Sequence, residues 1–268
     1  MSAARRSAHI NVMVEAAEKA GRGLVRDFGE VENLQVSKKG PGDFVSTADH
    51  KAEATIKALL QKARPKYGFL LEEGGETKGE DTSCRWIADP LDGTTNFLHG
   101  IPHWAVSIAL EKDGEIVCGV VYDPIKDEMF WAEKGLGAYV NNRRLQVSGR
   151  ASIDRALLVV GDEKQDDFLS QLAAALPGCS GFRRYGAAAL DLCYVAAGRF
   201  DAFFESGPKA WDVAAGSLIV KEAKGIVTSM NGAKNDIYSG SFLASNPSIH
   251  TEIVKRLGTV QKMVKSVS

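Results

Sequence analysis

The segment Trp86-Ile-Ala-Asp-Pro-Leu-Asp-Gly-Thr-Thr-Asn96 limits what this chain can fold into more than any other stretch. It opens as a buried strand, and in a straight strand Asp89 and Asp92 would point to opposite faces. They converge only if the backbone turns between them. Pro90 fixes its own φ and donates no hydrogen bond, while Gly93 permits a tight or left-handed backbone and leaves room for a ligand. A strand that ends in one carboxylate, a turn that offers a second and a helix that starts at Gly93-Thr94-Thr95 would set unpaired N–H groups beside two cation ligands. That arrangement suits a phosphate bridged to a hard divalent cation such as Mg2+. Taken alone, the segment also reads as an aspartate-rich turn that merely caps a helix.

Periodicity places the segment within a mixed fold. Ile10, Met13, Val14, Ala17, Leu24 and Val25 form a helical stripe over His9 to Phe28. After the turn residues Gly40, Pro41 and Gly42, a second helix is predicted from about Ala48 to Arg64. Strands follow at Phe69 to Leu71, Trp86 to Ala88, Ala105 to Leu110, Ile116 to Tyr122 and Glu128 to Ala132, with Asp113-Gly114 as a hairpin signal. Asn141 to Ser152 is polar. Beyond it, strands at Ala156 to Val160, Phe200 to Phe204, Ile226 to Ser229 and Phe242 to Ser245 alternate with helices at Asp166 to Leu176, Ala187 to Ala197, Val213 to Lys224 and Pro247 to Leu257. A boundary near residue 148 is expected, with 1–148 carrying helices and a largely antiparallel sheet and 149–268 an α/β half.

Composition narrows the function. The chain has 268 residues, 44% hydrophobic and 25% charged, which suits a folded enzyme. Its formal net charge of -1 removes the electrostatic attraction that phosphate-backbone binders use, so nucleic acid is not the expected partner. Cys84, Cys118, Cys179 and Cys193 have no zinc-ligand spacing and read as reduced core residues. Apolar runs such as Trp104 to Leu110 fall short of the ~18 residues a membrane span needs, and a cytoplasmic location is expected. Two further acidic features stand beside the aspartate-rich segment: Glu72-Glu73 after a short strand, and Asp212 at a helix start.

With Gly42-Asp-Phe-Val-Ser-Thr-Ala-Asp49, Glu72-Glu73, Asp89-Pro-Leu-Asp-Gly-Thr-Thr-Asn-Phe97, Gly186-Ala-Ala-Ala-Leu-Asp191, Phe204-Glu205 and Trp211-Asp-Val-Ala-Ala-Gly216 in this order, the chain resembles the inositol monophosphatase family. These are magnesium-dependent, lithium-sensitive phosphatases, and the bacterial branch, with its extragenic suppressor proteins, is most similar. The resemblance implies a layered αβαβα sandwich, an α+β or α/β fold of the inositol monophosphatase and fructose-1,6-bisphosphatase type, and a homodimer. It implies that Glu72, Asp89 and the Leu91 carbonyl hold one Mg2+, that Asp89, Asp92 and Asp212 hold a second, and that a third shares Glu72. Thr94, oriented by Asp49, would position water activated by the metal. Gly93 and Thr94 amides would hold phosphate, with Lys39 nearby, and Glu205, Asp92 and the Gly186 to Ala188 backbone would meet the alcohol. The implied reaction is hydrolysis of a small phosphate monoester, foremost myo-inositol monophosphate. 3'-Phosphoadenosine phosphate, fructose bisphosphate, histidinol phosphate and NADP are the family's other substrates.

Departures from the family pattern are Ala187 for Ser or Thr, Ala210 for Pro and Ser46 for Thr. The Asp-Gly-Thr string also evokes haloacid-dehalogenase phosphatases, but their acid-base Asp lies two residues after the nucleophile, where this chain spaces Asp89 and Asp92 by three. The suppressor branch further implies a contact with the transcription machinery. Arg183, Arg184, Lys255, Arg256, Lys262 and Lys265 could supply that surface, but solvated charges or dimer contacts are the favoured account of them.

Overall fold

The computed structural model describes residues 6–30, 41–161, 177–234 and 236–265; for 41–46 and 259–265 it describes the backbone alone. Helix α1 (Ala8–Phe28) starts where the Ser7 hydroxyl accepts the Ile10 N–H at 3.3 Å, and it buries Ile10, Met13, Val14, Ala17 and Leu24 on one stripe. Helix α2 (Pro41–Ala63) packs beside it. It already includes Pro41 and Gly42, well before the predicted Ala48.

Strands β1 (Tyr67–Leu71), β2 (Gly75–Thr77), β3 (Asp81–Asp92), β4 (Ala105–Lys112), β5 (Glu115–Asp123), β6 (Glu128–Glu133), β7 (Gly137–Val140) and β8 (Arg143–Arg144) form one sheet in the order β2-β1-β3-β4-β5-β6-β7-β8. Only β1 and β3 pair in parallel. The β4–β5 turn is the predicted hairpin, with positive φ at Asp113 (52°) and Gly114 (78°). Side chains alternate across the sheet: Trp86, Ala88, Val106 and Ile108 pack toward α1 and α2, while Ile87, Ala105, Ala109 and Val121 pack toward the opposite helices.

Those opposite helices are α4 (Ala188–Ala196) and α5 (Ala210–Glu222); α3 (Thr94–Leu98) is a single short turn after β3. A second sheet, order β10-β9-β11-β13-β12, covers α4 and α5 from beyond with β9 (Leu157–Val160), β10 (Gly181–Arg183), β11 (Ala202–Ser206), β12 (Ile226–Thr228) and β13 (Ser241–Ser245). Val159, Phe203 and Ala244 face those helices, and Leu158, Val160, Phe204 and Leu243 face α6 (Pro247–Lys265) through Ile249, Ile253 and Leu257. The result is the expected αβαβα sandwich. The predicted helix at Asp166 to Leu176 lies outside the described residues. The short strands β2, β7, β8 and β10 were not legible from periodicity because they run only two to four residues.

All four cysteines are free; Cys84, Cys118 and Cys193 are buried, whereas Cys179 is half-buried and is not a full core residue as expected. Among the described residues no helix is long and apolar enough to cross a membrane.

The middle layer rests directly on the first sheet. A Cβ on Gly119 of β5 would lie 2.8 Å from the Ala215 carbonyl oxygen and 3.1 Å from its Cα, so α5 and β5 touch backbone to backbone. Gly119→Ala should push α5 outward and lower stability by about 1 to 3 kcal/mol, seen as a Tm decrease on the order of 2 to 10 °C in thermal melts. An unchanged Tm would mean that this approach does not set the layer spacing.

Candidate active site

The bend that brings Asp89 and Asp92 together is a bulge, and the strand does not stop at Asp89 as the sequence suggested. β3 runs through to Asp92: Asp89 lies opposite Ser107 and Asp92 opposite Ala105, so three steps on β3 match two on β4. The extra residue falls at Pro90–Leu91, where proline has no N–H to give the ladder, and it returns Asp92 to the face of Asp89. Asp89 Oδ1 accepts the Leu91 N–H at 2.8 Å. Gly93 then adopts φ 93°, and a Cβ there would meet the His103 carbonyl at 3.0 Å and Ala187 at 3.2 Å. Glycine at this position is required both by the left-handed backbone and by the close approach.

A cavity of about 220 Å3 opens over this bend. It is lined by five carboxylates, Glu72, Asp89, Asp92, Glu205 and Asp212, by Leu91, Gly93, Thr94 and Thr95 at the bend, and by Gly186, Ala187 and Ala188. Four chain segments thus converge: the end of β1, the β3 bulge, the entry to α4, and the β11–α5 connection. Asp92 Oδ2 accepts the Ala189 N–H at 2.8 Å, which ties the bulge to α4, and Asp212 Oδ2 accepts the Lys209 N–H at 2.7 Å in a cap of α5. Glu205 packs so tightly on Gly161 that a Cβ there would lie 2.3 Å from its carboxylate carbon.

Asp49 does not line the cavity. Asp49, on α2, stands behind Glu72; carboxylate oxygens of Asp49, Glu72 and Glu73 lie within 4.8 Å of one another. The Thr94 hydroxyl donates to the Leu91 carbonyl at 2.9 Å, and Asp49 Oδ1 has no hydrogen-bond partner, so Thr94 takes its orientation from Leu91 and not from Asp49. Lys39 lies outside the described residues, and the Ser46 side chain does too. Of the basic residues, Arg183 and Arg184 are exposed, and Arg256 is held by Glu252 at 2.9 Å and by the Pro177 carbonyl.

Two functional residues were missed. Glu53 accepts the Glu73 N–H at 2.9 Å and so fixes the loop carrying Glu72; its spacing of four from Asp49 on one helix face was the available signal. Asn96 closes the aspartate-rich motif, and its side chain reaches the Tyr185 carbonyl beside Gly186 of the cleft at 2.6 Å, a pairing that no local spacing signals.

Electrostatics marks the cluster as a cation site. Burial, then Glu72, Asp92 and Asp212, pushes Asp89 well above the usual carboxylate range; burial and Asp212 do the same to Asp92, opposed by the Ala189 N–H. Burial raises Glu72, which shares a hydrogen bond with Asp89, and raises Asp212 to about 6. Asp49, 3% exposed, is pushed up to about 8 by burial and by Glu72, Glu73 and Glu53. These are oxygen donors without a soft atom among them, and Asp49 Oδ1 and Glu72 Oε2 are buried without a partner, so hard divalent cations fit the residues present.

Five layers around a carboxylate-lined cleft define a class: phosphatases whose acidic site can hold metal ions. Within that class the chain belongs to the inositol monophosphatase family, whose family model, "Inositol monophosphatase family", matches residues 6–262. It is 55% identical over 255 residues to an inositol-1-monophosphatase of Mesorhizobium japonicum, covering 93% of this chain and 96% of the relative. It is 41% identical over 245 residues to the Nus factor SuhB of Escherichia coli strain K12, covering 90% and 92%. Among solved structures, the native extragenic suppressor protein suhB from Bartonella henselae aligns with a TM-score of 0.87 at 53% identity, over 94% of this chain and 98% of that one. The chain is accordingly an enzyme, a phosphoric monoester hydrolase.

The raised carboxyls have a measurable consequence for the metal-free protein. A carboxyl with a higher pKa folded than unfolded stabilises the fold while protonated, fully below about pH 4, and this is lost as pH rises toward the folded value. For Asp49, lifted from 3.8 to about 8, the loss falls between those pH values and is on the order of several kcal/mol. In chelator, Asp49→Asn should therefore melt several degrees above wild type near pH 8 and close to it near pH 5. A difference that stays constant with pH would show that Asp49 ionises as an ordinary carboxylate.

Proposed function

We propose that the chain hydrolyses a small polyol phosphate, myo-inositol monophosphate before the other family substrates, in a Mg2+-dependent reaction. The observation that carries this reading is the lining of one cleft, where the carboxylates of Glu72, Asp89, Asp92 and Asp212 are joined by Glu205 from a separate strand, a carboxylate unsuited to a phosphate dianion. Glu72, Asp89, Asp92, Asp212 and the Leu91 carbonyl are the ligands for two ions, and Asp49 and Glu73 beside Glu72 favour a third. Bound Mg2+ supplies Lewis acidity toward water and the ester oxygen and cancels charge that the chain leaves unbalanced.

The chain's own residues bind and orient. The amides of Gly93 and Thr94, at the start of α3 and without carbonyl partners inside it, receive phosphate oxygens, and Lys39 adds charge from outside the described residues. Thr94 Oγ1, its hydrogen committed to Leu91, offers lone pairs that accept a hydrogen bond from the attacking water. Glu205 accepts hydrogen bonds from substrate hydroxyls while the Gly186 to Ala188 backbone bounds the ring. Ala187 offers no hydroxyl of its own, so more of the polyol recognition rests on Glu205. A homodimer, a cytoplasmic location, inhibition by Li+ and a division of the chain near residue 148 belong to the same reading. The similarity to a Nus factor supports a second role, contact with the transcription machinery, for which the exposed Arg183 and Arg184 are a starting surface.

Activity on inositol monophosphate should vanish in excess chelator and return with Mg2+, and Asp89→Asn should be the most damaging single change because Asp89 is shared between both ions. Steady-state rates test this, and near wild-type kcat/KM in folded Asp89→Asn would overturn the ligand assignment. Charged acceptors make hydrogen bonds worth ~1.5 to 3 kcal/mol, so Glu205→Ala should lower kcat/KM for inositol monophosphate roughly ten- to a hundredfold. An aryl phosphate without hydroxyls should change little; equal losses would assign Glu205 to the metals or the fold.

A further inference from the structure

Asn96 joins the two walls of the cleft from behind. It lies on α3, is buried, and is absent from the cavity lining. Its Nδ2 donates to the Tyr185 carbonyl at 2.6 Å and to the His103 carbonyl at 2.8 Å, with the Gly186 carbonyl further off at 3.5 Å. An amide nitrogen has two hydrogens, and the two short bonds use both. Because every partner is a carbonyl oxygen, the nitrogen must occupy this position and the side-chain oxygen cannot. The Asn96 backbone carbonyl in turn accepts the Ile101 N–H at 2.9 Å, so the residue also shapes the loop that leads to His103.

The segment that Asn96 holds has no regular structure of its own. Between β10 and α4 the chain passes through Gly186 at φ 74° and Ala187 in an extended conformation. One end of the segment is fixed by the Ala189 N–H on Asp92 Oδ2, and the other by Asn96 on Tyr185. The two walls also touch directly: the Tyr185 and His103 rings lie 4.9 Å apart between centroids, and a Cβ on Gly93 would lie 3.2 Å from Ala187.

We propose that Asn96 is a positioning residue for the alcohol half of the substrate: by tying the Tyr185 carbonyl to the His103 carbonyl it sets how far the Gly186 to Ala188 wall stands from the turn at residues 93–95. This rests on the reading in which phosphate lies against that turn and the polyol against that wall. Asn96 touches no reacting atom. Its removal lets the wall drift while leaving the carboxylate cluster, which other bonds hold, in place. Substrates that use the wall should suffer, and substrates that use only the phosphate site should suffer less.

The test compares wild type with Asn96→Asp, which keeps the volume and sets a carboxylate against the same carbonyls, and Asn96→Ser, which keeps one donor. Each Mg2+-loaded enzyme is assayed on myo-inositol 1-phosphate and on p-nitrophenyl phosphate, with Tm and calorimetric Mg2+ affinity alongside. For Asn96→Asp the expected result is at least a tenfold loss in kcat/KM on the inositol ester, mostly through KM, against less than threefold on the aryl ester. Mg2+ affinity should stay within twofold, and Asn96→Ser should fall between the two enzymes. Equal losses on both esters, a parallel loss of Mg2+ affinity, or no loss would overturn the proposal; if Asn96→Asp does not fold, Asn96→Ser decides by the same split. A wild type that turns over the inositol ester no better than the aryl ester would overturn the substrate reading instead. The split is then taken on the best hydroxyl-bearing ester of the family panel.

Discussion

The mutual repulsion of carboxylates buried around one small cleft is the constraint on which the rest of this structure depends. Glu72, Asp89, Asp92 and Asp212 face one cavity, with Asp49 directly behind. In a partly screened site, like charges about 4 Å apart repel by ~4 kcal/mol per pair. A fold gains nothing from such a cluster unless cations or protons occupy it. Burial first, and that repulsion after it, raise the proton affinities of all five groups.

Rigid backbone holds the cluster against this repulsion. The β3 bulge sits in the middle of an eight-stranded sheet, so Asp89 and Asp92 cannot separate without breaking the β3–β4 ladder. Asp212 is fixed by its own cap at the start of a helix that lies on bare β5 backbone at Gly119, and Asp92 is pinned to the start of α4. Glu72 is held by its N–H on the Ala88 carbonyl of β3 at 3.2 Å and by the adjoining loop that Glu53 anchors from α2. The hydrophobic layers therefore act on function mainly by fixing four chain ends with respect to one another. The Gly186 to Ala188 wall is tied by the Ala189 N–H on Asp92, by Asn96 on the Tyr185 carbonyl and by the Tyr185 ring against His103.

Much of this was legible in the sequence because the signals are local. Helical stripes, the Asp113-Gly114 hairpin and alternating strands and helices depend on short-range periodicity, and they led to the five-layer arrangement once the family resemblance was added. The acidic residues were legible as a set only through that resemblance, since Glu72 and Asp212 are 140 positions apart and no spacing rule connects them. What could not be read is tertiary. A bulge and a strand-ending turn use the same Pro90 and Gly93, and only the pairing with Ser107 and Ala105 separates them. The partner of the Thr94 hydroxyl depends on the position of Leu91 after the bulge. Asn96 reads as one more polar residue until Tyr185, far along the chain, folds over it.

The cluster stays partly protonated until a cation replaces the protons. Titration of Mg2+ into the metal-free enzyme by calorimetry, repeated in buffers of different ionisation enthalpy, counts the protons displaced. With Asp49 raised to about 8 and Glu72, Asp89 and Asp92 raised beside it, the account predicts release of at least one proton per chain near pH 7, with fewer above pH 9. Tight Mg2+ binding without proton release at pH 7 would contradict it, because the carboxylates would then be ionised and tolerated by the fold without any cation.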